Sequence, residues 1–396
     1  MRTAEIVIVG GGLAGSLAAA MLARRGYGVV LVDPHKDFPP DFRCEKIDGP
    51  QTELLRKTGL ADAILAAAAP DKETWVAQLG HLVEKRQGDQ FGILYGDLVN
   101  VMRSQIPATA EVVHGMVTGI ETTPDRQTVT LSDGGTISAR LVVLANGLNA
   151  GLRQSIGLER EVLSACHSVT IGFDVKPAVG NAFPFSSLTY YGERTDDKVA
   201  YLTLFPVRGG AGLRANFMVY RDIHDQLLEQ FRAAPRETLA SFLRGLERLT
   251  GPFEVTGHIK VRPADLYVTR GIERPGLVLV GDAYATSCPA AGTGTSKVYT
   301  DVERLCHEHI PRWFASEGMG AEKIAEFYAD PVKQACDAHS YAKAYSLRAI
   351  SIDEGWAWRA KRWARFGYRL GIGTLRQVRR RLPADAGGEA PHPLEV

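Results

Sequence analysis

The segment Gly281–Ser296, GDAYATSCPAAGTGTS, sets one carboxylate, Asp282, ahead of a Pro/Gly-rich turn that opens a helix. Free backbone N–H groups at a helix start, with the positive end of its dipole, hold phosphate or the polar atoms of a ring. Near the N-terminus, Gly10, Gly12 and Gly15 form G-x-G-x-x-G, and Asp33 follows about twenty residues beyond. Such glycines admit a pyrophosphate close to the backbone. The acid holds a ribose 2′-hydroxyl and disfavours a 2′-phosphate there. Two nucleotide motifs this far apart imply one long dinucleotide reaching both.

The elements around these residues are those that the motifs need. Ile6–Val9 is a β-branched strand, Ser16–Arg25 an Ala/Leu-rich helix closed by Gly26, and Val29–Val32 a second strand ending at Asp33. Gly276–Val280 is an apolar strand before Asp282, and Val298–Ile310 carries apolar residues at helical spacing. Between the motifs, Asp97–Ile106 reads as a helix and Leu141–Ala145 as a buried strand turning at Asn146-Gly147. From Ser164 to Arg221 long alternating strands predominate, as expected of a sheet covering a pocket on one face. Asp225–Thr250 and the stretch from Ala321 read as helical, and the last residues as a disordered tail.

Composition points to a soluble, cytoplasmic enzyme. The net charge of +1 gives no reason to expect nucleic acid, and neither a signal peptide nor a bilayer-length apolar run is evident. Five scattered cysteines without a C-x-x-C pair read as reduced thiols, with no metal site.

The order of G-x-G-x-x-G, an acid, an Arg soon after, an NG-x-x-A-x-x-R segment and GD…P-x-x-G-x-G resembles the para-hydroxybenzoate hydroxylase-like FAD-dependent monooxygenases, from Ile6 to about Arg304. The resemblance implies that Gly10, Gly12, Leu13, Ala14 and Gly15 hold the FAD pyrophosphate and Asp33 the adenosine ribose. Arg43 would contact the diphosphate or ribityl region, Asp282 the ribityl chain or pyrophosphate, and Val117, Asn146 and Gly147 would also belong to the cofactor site. Gly292, Thr293, Gly294, Thr295 and Ser296 would lie along the isoalloxazine, with Pro289 on the side where oxygen reacts and Lys297 nearby. Two positions depart from the family pattern: Asn146 stands where Asp is usual, and Tyr95 where Arg or Gln is common.

The implied fold is α/β (α+β overall). A discontinuous Rossmann-like FAD-binding domain, 1–72 with 92–160 and 262–320, carries an inserted antiparallel-sheet substrate domain, 73–91 with 161–261. A helical C-terminal region, 321–382, and a tail, 383–396, follow. The implied chemistry is reduction of FAD by NADH or NADPH, reaction with O2 to a C4a-hydroperoxide, and hydroxylation of an aromatic or other electron-rich small molecule. The rival readings are a halogenase, an enzyme reduced by a partner flavin reductase, a reductase of isoprenoid double bonds, and a cofactor-free binding module like GDP-dissociation inhibitors. No second dinucleotide fingerprint exists for NAD(P)H.

His167, Tyr190, Tyr191, Tyr201, Phe205 and Arg214 are the pocket candidates from the middle sheet, each with a packing role as the alternative. Cys288 is either a redox thiol or a small buried filler. The segment from Trp356 to Leu382 is acid-free and basic, and holds three of the five Trp. It is expected either to cap the core with its charges outward or to make a weak contact with an anionic membrane surface.

Overall fold

The structure, a computed structural model, describes residues 2–43, 45–210 and 212–381 of the chain; the tail expected at 383–396 lies outside the described residues. A five-stranded parallel sheet runs in the order Leu277–Leu279, Leu141–Leu144, Ile6–Val9, Val29–Asp33, Glu111–His114. Its central strands are wholly buried apolar runs, as a sheet covered on both faces requires. The helix Leu13–Arg24 packs on one face, buried from Leu13 to Ala23. Gly15 makes that approach feasible, because a Cβ there would stand 1.8 Å from the Gly10 carbonyl oxygen. A smaller four-stranded sheet, which contains Val117–Glu121, packs its buried residues against the other face.

The eight-stranded sheet is antiparallel except where Ser187–Tyr191 runs parallel to Ala69–Gln78. Glu159–Pro177, Leu213–Val219 and Val199–Pro206 form its middle. Alternation gives it two faces. Ile171, Phe173, Phe217, Leu188 and Tyr190 point to a core closed by the helices Leu227–Ala233, Pro235–Phe242 and Leu246–Thr250. Met218 and Tyr220 instead pack against Cys288, Ala290 and Ala291. The sheet therefore turns one face to the Gly281–Ser296 segment, and that positions the site.

Two long helices complete the chain. Pro331–Ile352 is capped by Asp330, which accepts from the N–H groups of Val332 and Lys333, and Lys333 Nζ reaches Asp301 at 2.8 Å. Trp356–Arg381 lies on the strand His81–Gly92, where Gly373 meets the Val83 carbonyl so closely that a Cβ would stand 2.0 Å from it. Its charges divide, so the expectation of a cap with charges outward holds only for part of the helix: Arg359 and Lys361 are exposed. The arginines Arg362 and Arg369 face the protein, bonding the Ile350 carbonyl and the Tyr191 hydroxyl. Trp356, Ala360, Gly367 and Leu370 lie on one helical stripe that faces outward, with Trp356 84 % exposed, while Trp363 on the same stripe, 62 % exposed, edges a cavity beside the helix. Among the described residues no helix is long and apolar enough to cross a membrane.

Candidate active site

The first glycine loop is built as its motif predicts. Gly10 adopts φ +101°, and a Cβ there would meet the Ala145 carbonyl oxygen at 2.6 Å. Gly12 precedes the helix without capping it, and the first turn contains no acid. The dipole end at Leu13, Ala14 and Gly15 is thus left for an anion. Asp33 stands at the end of its strand, buried, with Oδ2 accepting from the Gly11 N–H at 2.6 Å and Oδ1 from His35 N–H at 2.9 Å. Arg103 Nη2 lies 2.9 Å from Oδ1. Burial by itself would raise the Asp33 pKa, but the Gly11 and His35 N–H groups and Arg103 outweigh it and hold the carboxyl below its ordinary value. Val117 sits just past His114, whose strand pairs with Asp33.

The second half of the site repeats this design. The helix Gly294–Arg304 also begins without a side-chain cap or first-turn acid, because the Thr293 hydroxyl bonds Ser340 at 2.7 Å instead. The amides of Gly294, Thr295 and Ser296 therefore lack a capping side chain. Gly292 is left-handed (φ 65°, ψ 24°), and a Cβ on it would have nothing within 4 Å. Its carbonyl accepts from Gln51 Nε2 at 2.9 Å. Gln51 was missed in the sequence. Its visible signal is the capping box in which Asp48 and Gln51 bond each other at the start of Gly49–Lys57.

Arg43 joins the halves: Nη1 meets Asp282 Oδ2 at 2.9 Å while Nε holds Asp41 Oδ2 at 2.6 Å. Its guanidinium also lies 5.6 Å from the ring centre of Tyr95, the residue that departs from the family pattern. The Tyr95 hydroxyl faces the Leu13 N–H at the helix start, and burial pushes its pKa up to about 12, so the phenol stays neutral. Asn146 does not point at Asp282. Its Oδ1 accepts from Arg153 Nη1 at 3.0 Å, and Arg153 also binds the carbonyl of Gly147. Lys297, expected near the ring, is buried and paired with Asp337.

The sheet candidates separate by face. Tyr201 donates to the Ala290 carbonyl at 2.6 Å and so touches the Pro289–Ala291 turn directly. Tyr190 is corrected as a pocket residue: it lies on the opposite face, its hydroxyl bonded to Glu193 at 2.6 Å. His167 is fully buried, 3.1 Å from Ser164 Oγ and edge-on to Tyr220 and Tyr345; burial, then Arg348, lowers its pKa, so it stays neutral at pH 7. Arg214 is locked by Glu45, Nε–Oε2 2.7 Å and Nη2–Oε1 3.1 Å, with Asp174 at 3.2 Å from Nη1. Thr170 shares the inward face with Met218, and its hydroxyl, in a residue 6 % exposed, has no partner. Cys288 is buried beside Ser168 Oγ at 3.5 Å, and burial raises its pKa, which suits an inert filler.

These residues fit FAD: two uncapped helix starts, one at each end, a buried carboxylate beside the first and an Arg–Asp pair between them. The two ends also suit its chemistry, an anionic pyrophosphate and a ring that gathers negative charge on reduction. Among the described residues no cluster could hold a metal ion.

Comparison with known proteins agrees with this geometry. A family described as FAD binding domain matches residues 3–308. The 3-demethoxyubiquinol 3-hydroxylase of Escherichia coli (strain K12) is 27 % identical over 322 residues, 76 % of this chain and 78 % of that one. The fold is shared with p-nitrophenol 4-monooxygenase PnpA from Pseudomonas putida DLL-E4, at TM-score 0.75 and 19 % identity over 96 % of both chains. It is also shared with the flavin-dependent brominase Bmp2, at TM-score 0.72 and 18 % identity, over 96 % of this chain and 93 % of that one.

Proposed function

We propose roles for these residues from one premise: the chain belongs to the FAD binding domain family as a para-hydroxybenzoate hydroxylase-like FAD-dependent monooxygenase, an oxidoreductase that uses NAD(P)H and O2 to oxygenate an aromatic or other electron-rich small molecule. Bound FAD supplies the electron transfer and oxygen activation. The protein's part is placement. Leu13, Ala14 and Gly15 amides take the pyrophosphate, Asp33 the ribose, Arg43 the diphosphate and Asp282 the ribityl chain. The amides of Gly294, Thr295 and Ser296 hold the negative charge that gathers at the pyrimidine edge of the ring.

The observation that carries this reading is the pair of uncapped helix starts bridged by Arg43 and Asp282. Tyr201, Met218 and Tyr220 seal the Pro289–Ala291 turn from water, and the unpartnered Thr170 hydroxyl faces the substrate. The substrate we propose is a phenol, the class named for the p-nitrophenol enzyme, whose hydroxyl Thr170 would accept from or donate to. Purified protein should carry flavin absorbance, and a panel of phenols should include members that stimulate NAD(P)H oxidation with a matching yield of hydroxylated product. Flavin-free protein, or NAD(P)H oxidation that yields only hydrogen peroxide with every phenol, would sink the assignment of these roles.

Two finer points belong to the same reading. Reduction by NADH or NADPH alone follows from the family, and the lone dinucleotide fingerprint is equally compatible with a partner; turnover only after adding a flavin reductase would assign that step to the partner. The outward Trp356 and Leu370, flanked by Arg359 and Lys361, support a weak contact with an anionic membrane surface.

A further inference from the structure

A cavity of about 510 Å³ lies between the C-terminal helix and the hairpin end of the eight-stranded sheet, away from both nucleotide motifs. Two of its walls carry buried polar atoms with nothing to bond. Arg369 is 9 % exposed; its Nη2 donates to the Tyr191 hydroxyl at 3.0 Å, but Nη1 has no partner among the described residues. Gln78 is 8 % exposed, and its Oε1 has none either. A buried donor or acceptor left unmade is destabilising, so such atoms persist where a ligand or water satisfies them.

Charge sharpens this. Arg365 lies beside Arg369, their guanidinium carbons 5.3 and 4.4 Å from the Tyr191 ring centre. Among the described residues neither has a carboxylate within ion-pair distance. Three acids share these walls: Glu193 is held by the Tyr190 hydroxyl and the Gly245 N–H, Asp196 by Arg194, and Glu354 is exposed at the rim with Arg359 and Arg362 on the same lining. Burial lowers the Arg365 pKa, and the neighbouring Arg369 and Arg86 lower it further against the pull of Tyr191. On the opposite wall, Leu347, Ile350 and Trp363 are apolar.

We propose that this cavity is a second ligand site, for an anionic, ring-bearing small molecule whose carboxylate or phosphate oxygens bind Arg365 and Arg369, with a donor on Gln78 Oε1 and an apolar body against Trp363 and Leu347. Charge-assisted bonds to paired guanidinium groups suit such oxygens, and the aromatic wall suits the ring. The site is linked to the chemistry. Tyr191 packs on Tyr201 at 5.7 Å, and Tyr201 bonds Ala290 in the turn assigned to the flavin. Its anion has two sources, an acid-bearing substrate or the phosphates of NAD(P)H, and this much rests on the monooxygenase reading.

The test uses the full chain with its flavin, comparing wild type with R369M, R365M and Q78L. Calorimetry is run with NADPH, NADH, hydroxybenzoates and the matching neutral hydroxybenzamides, and bound flavin is quantified separately. The expected result is that at least one anionic probe binds the wild type and that R369M and R365M weaken it about tenfold or more. Flavin content and affinity for the neutral analogues stay unchanged. Loss confined to the nucleotides identifies their phosphates as the occupant; loss confined to hydroxybenzoates identifies the substrate acid. If R369M loses flavin, R365M and Q78L carry the same comparison. Anion affinities within about twofold of wild type in the flavin-retaining variants, or no anionic probe binding the wild type, would overturn the site, whereas a flavin-free wild type would overturn the functional reading instead.

Discussion

Arg43 and Asp282 stand 239 residues apart in the chain and meet at 2.9 Å. Arg43 follows the strand that ends in Asp33 and Asp282 opens the Gly281–Ser296 segment, so the pair ties the two nucleotide-motif regions together. Both side chains keep about a quarter of their surface exposed, which leaves each able to turn a second bonding direction to the cofactor.

D282N should weaken FAD by about tenfold or more, through loss of a charge-assisted acceptor and release of Arg43. Titration of stripped protein with FAD checks this. Unchanged affinity would remove Asp282 from the cofactor site.

G10A and G292A should differ although both residues have positive φ. At Gly10 the new Cβ collides with the Ala145 carbonyl, so strain of about 1–3 kcal/mol is joined by a clash. At Gly292 only the strain applies, since the space is open. G10A is expected insoluble or free of flavin, and G292A folded with an altered flavin spectrum. Soluble, fully loaded G10A would contradict the loop geometry.

Y201F removes the bond to the Ala290 carbonyl, a change of about 1 kcal/mol. Flavin content should persist while the turn loosens, so the fraction of NAD(P)H oxidation ending in hydrogen peroxide should rise. The companion Y190F, on the far face, should leave that fraction as in wild type. Equal effects of the two would undo the assignment of faces.

Asp330 should make the fold acid-sensitive. Burial alone would raise its pKa, but the Lys333 N–H, His309 and Arg304 outweigh burial and bring it to about 2. A carboxyl depressed in the folded state stabilises above its unfolded pKa, near 3.8, and that stability is lost as pH falls from about 4 towards 2. Thermal unfolding across this window should show a drop in the wild type that D330N flattens. Parallel curves would show that Asp330 contributes nothing there.

The outward stripe of the C-terminal helix should bind vesicles containing phosphatidylglycerol, weaken with added salt, and lose that binding in W356S/L370S. Equal sedimentation of the double variant with such vesicles would discard the membrane contact.

The amino-acid sequence by itself determined the two nucleotide loops, because their requirements are local. A positive φ at Gly10, a close approach at Gly15, an acid at the end of a strand and a helix opening after Gly292 are written in residue types at fixed spacing, whereas that helix start is left uncapped only because Thr293 bonds the distant Ser340. Only the tertiary structure decided the rest. Tyr190 and Tyr191 are adjacent, so strand alternation puts them on opposite faces, and only the pairing of Tyr191 with Tyr201 says which faces the flavin loop. The bond from Gln51 to Gly292 spans 241 residues and leaves no trace in any local pattern. The composition of the C-terminal helix announced arginines and tryptophans, but which of them face the protein depends on what they pack against. Packing on the sheet turned Arg362 and Arg369 towards the protein and left Trp356 outside.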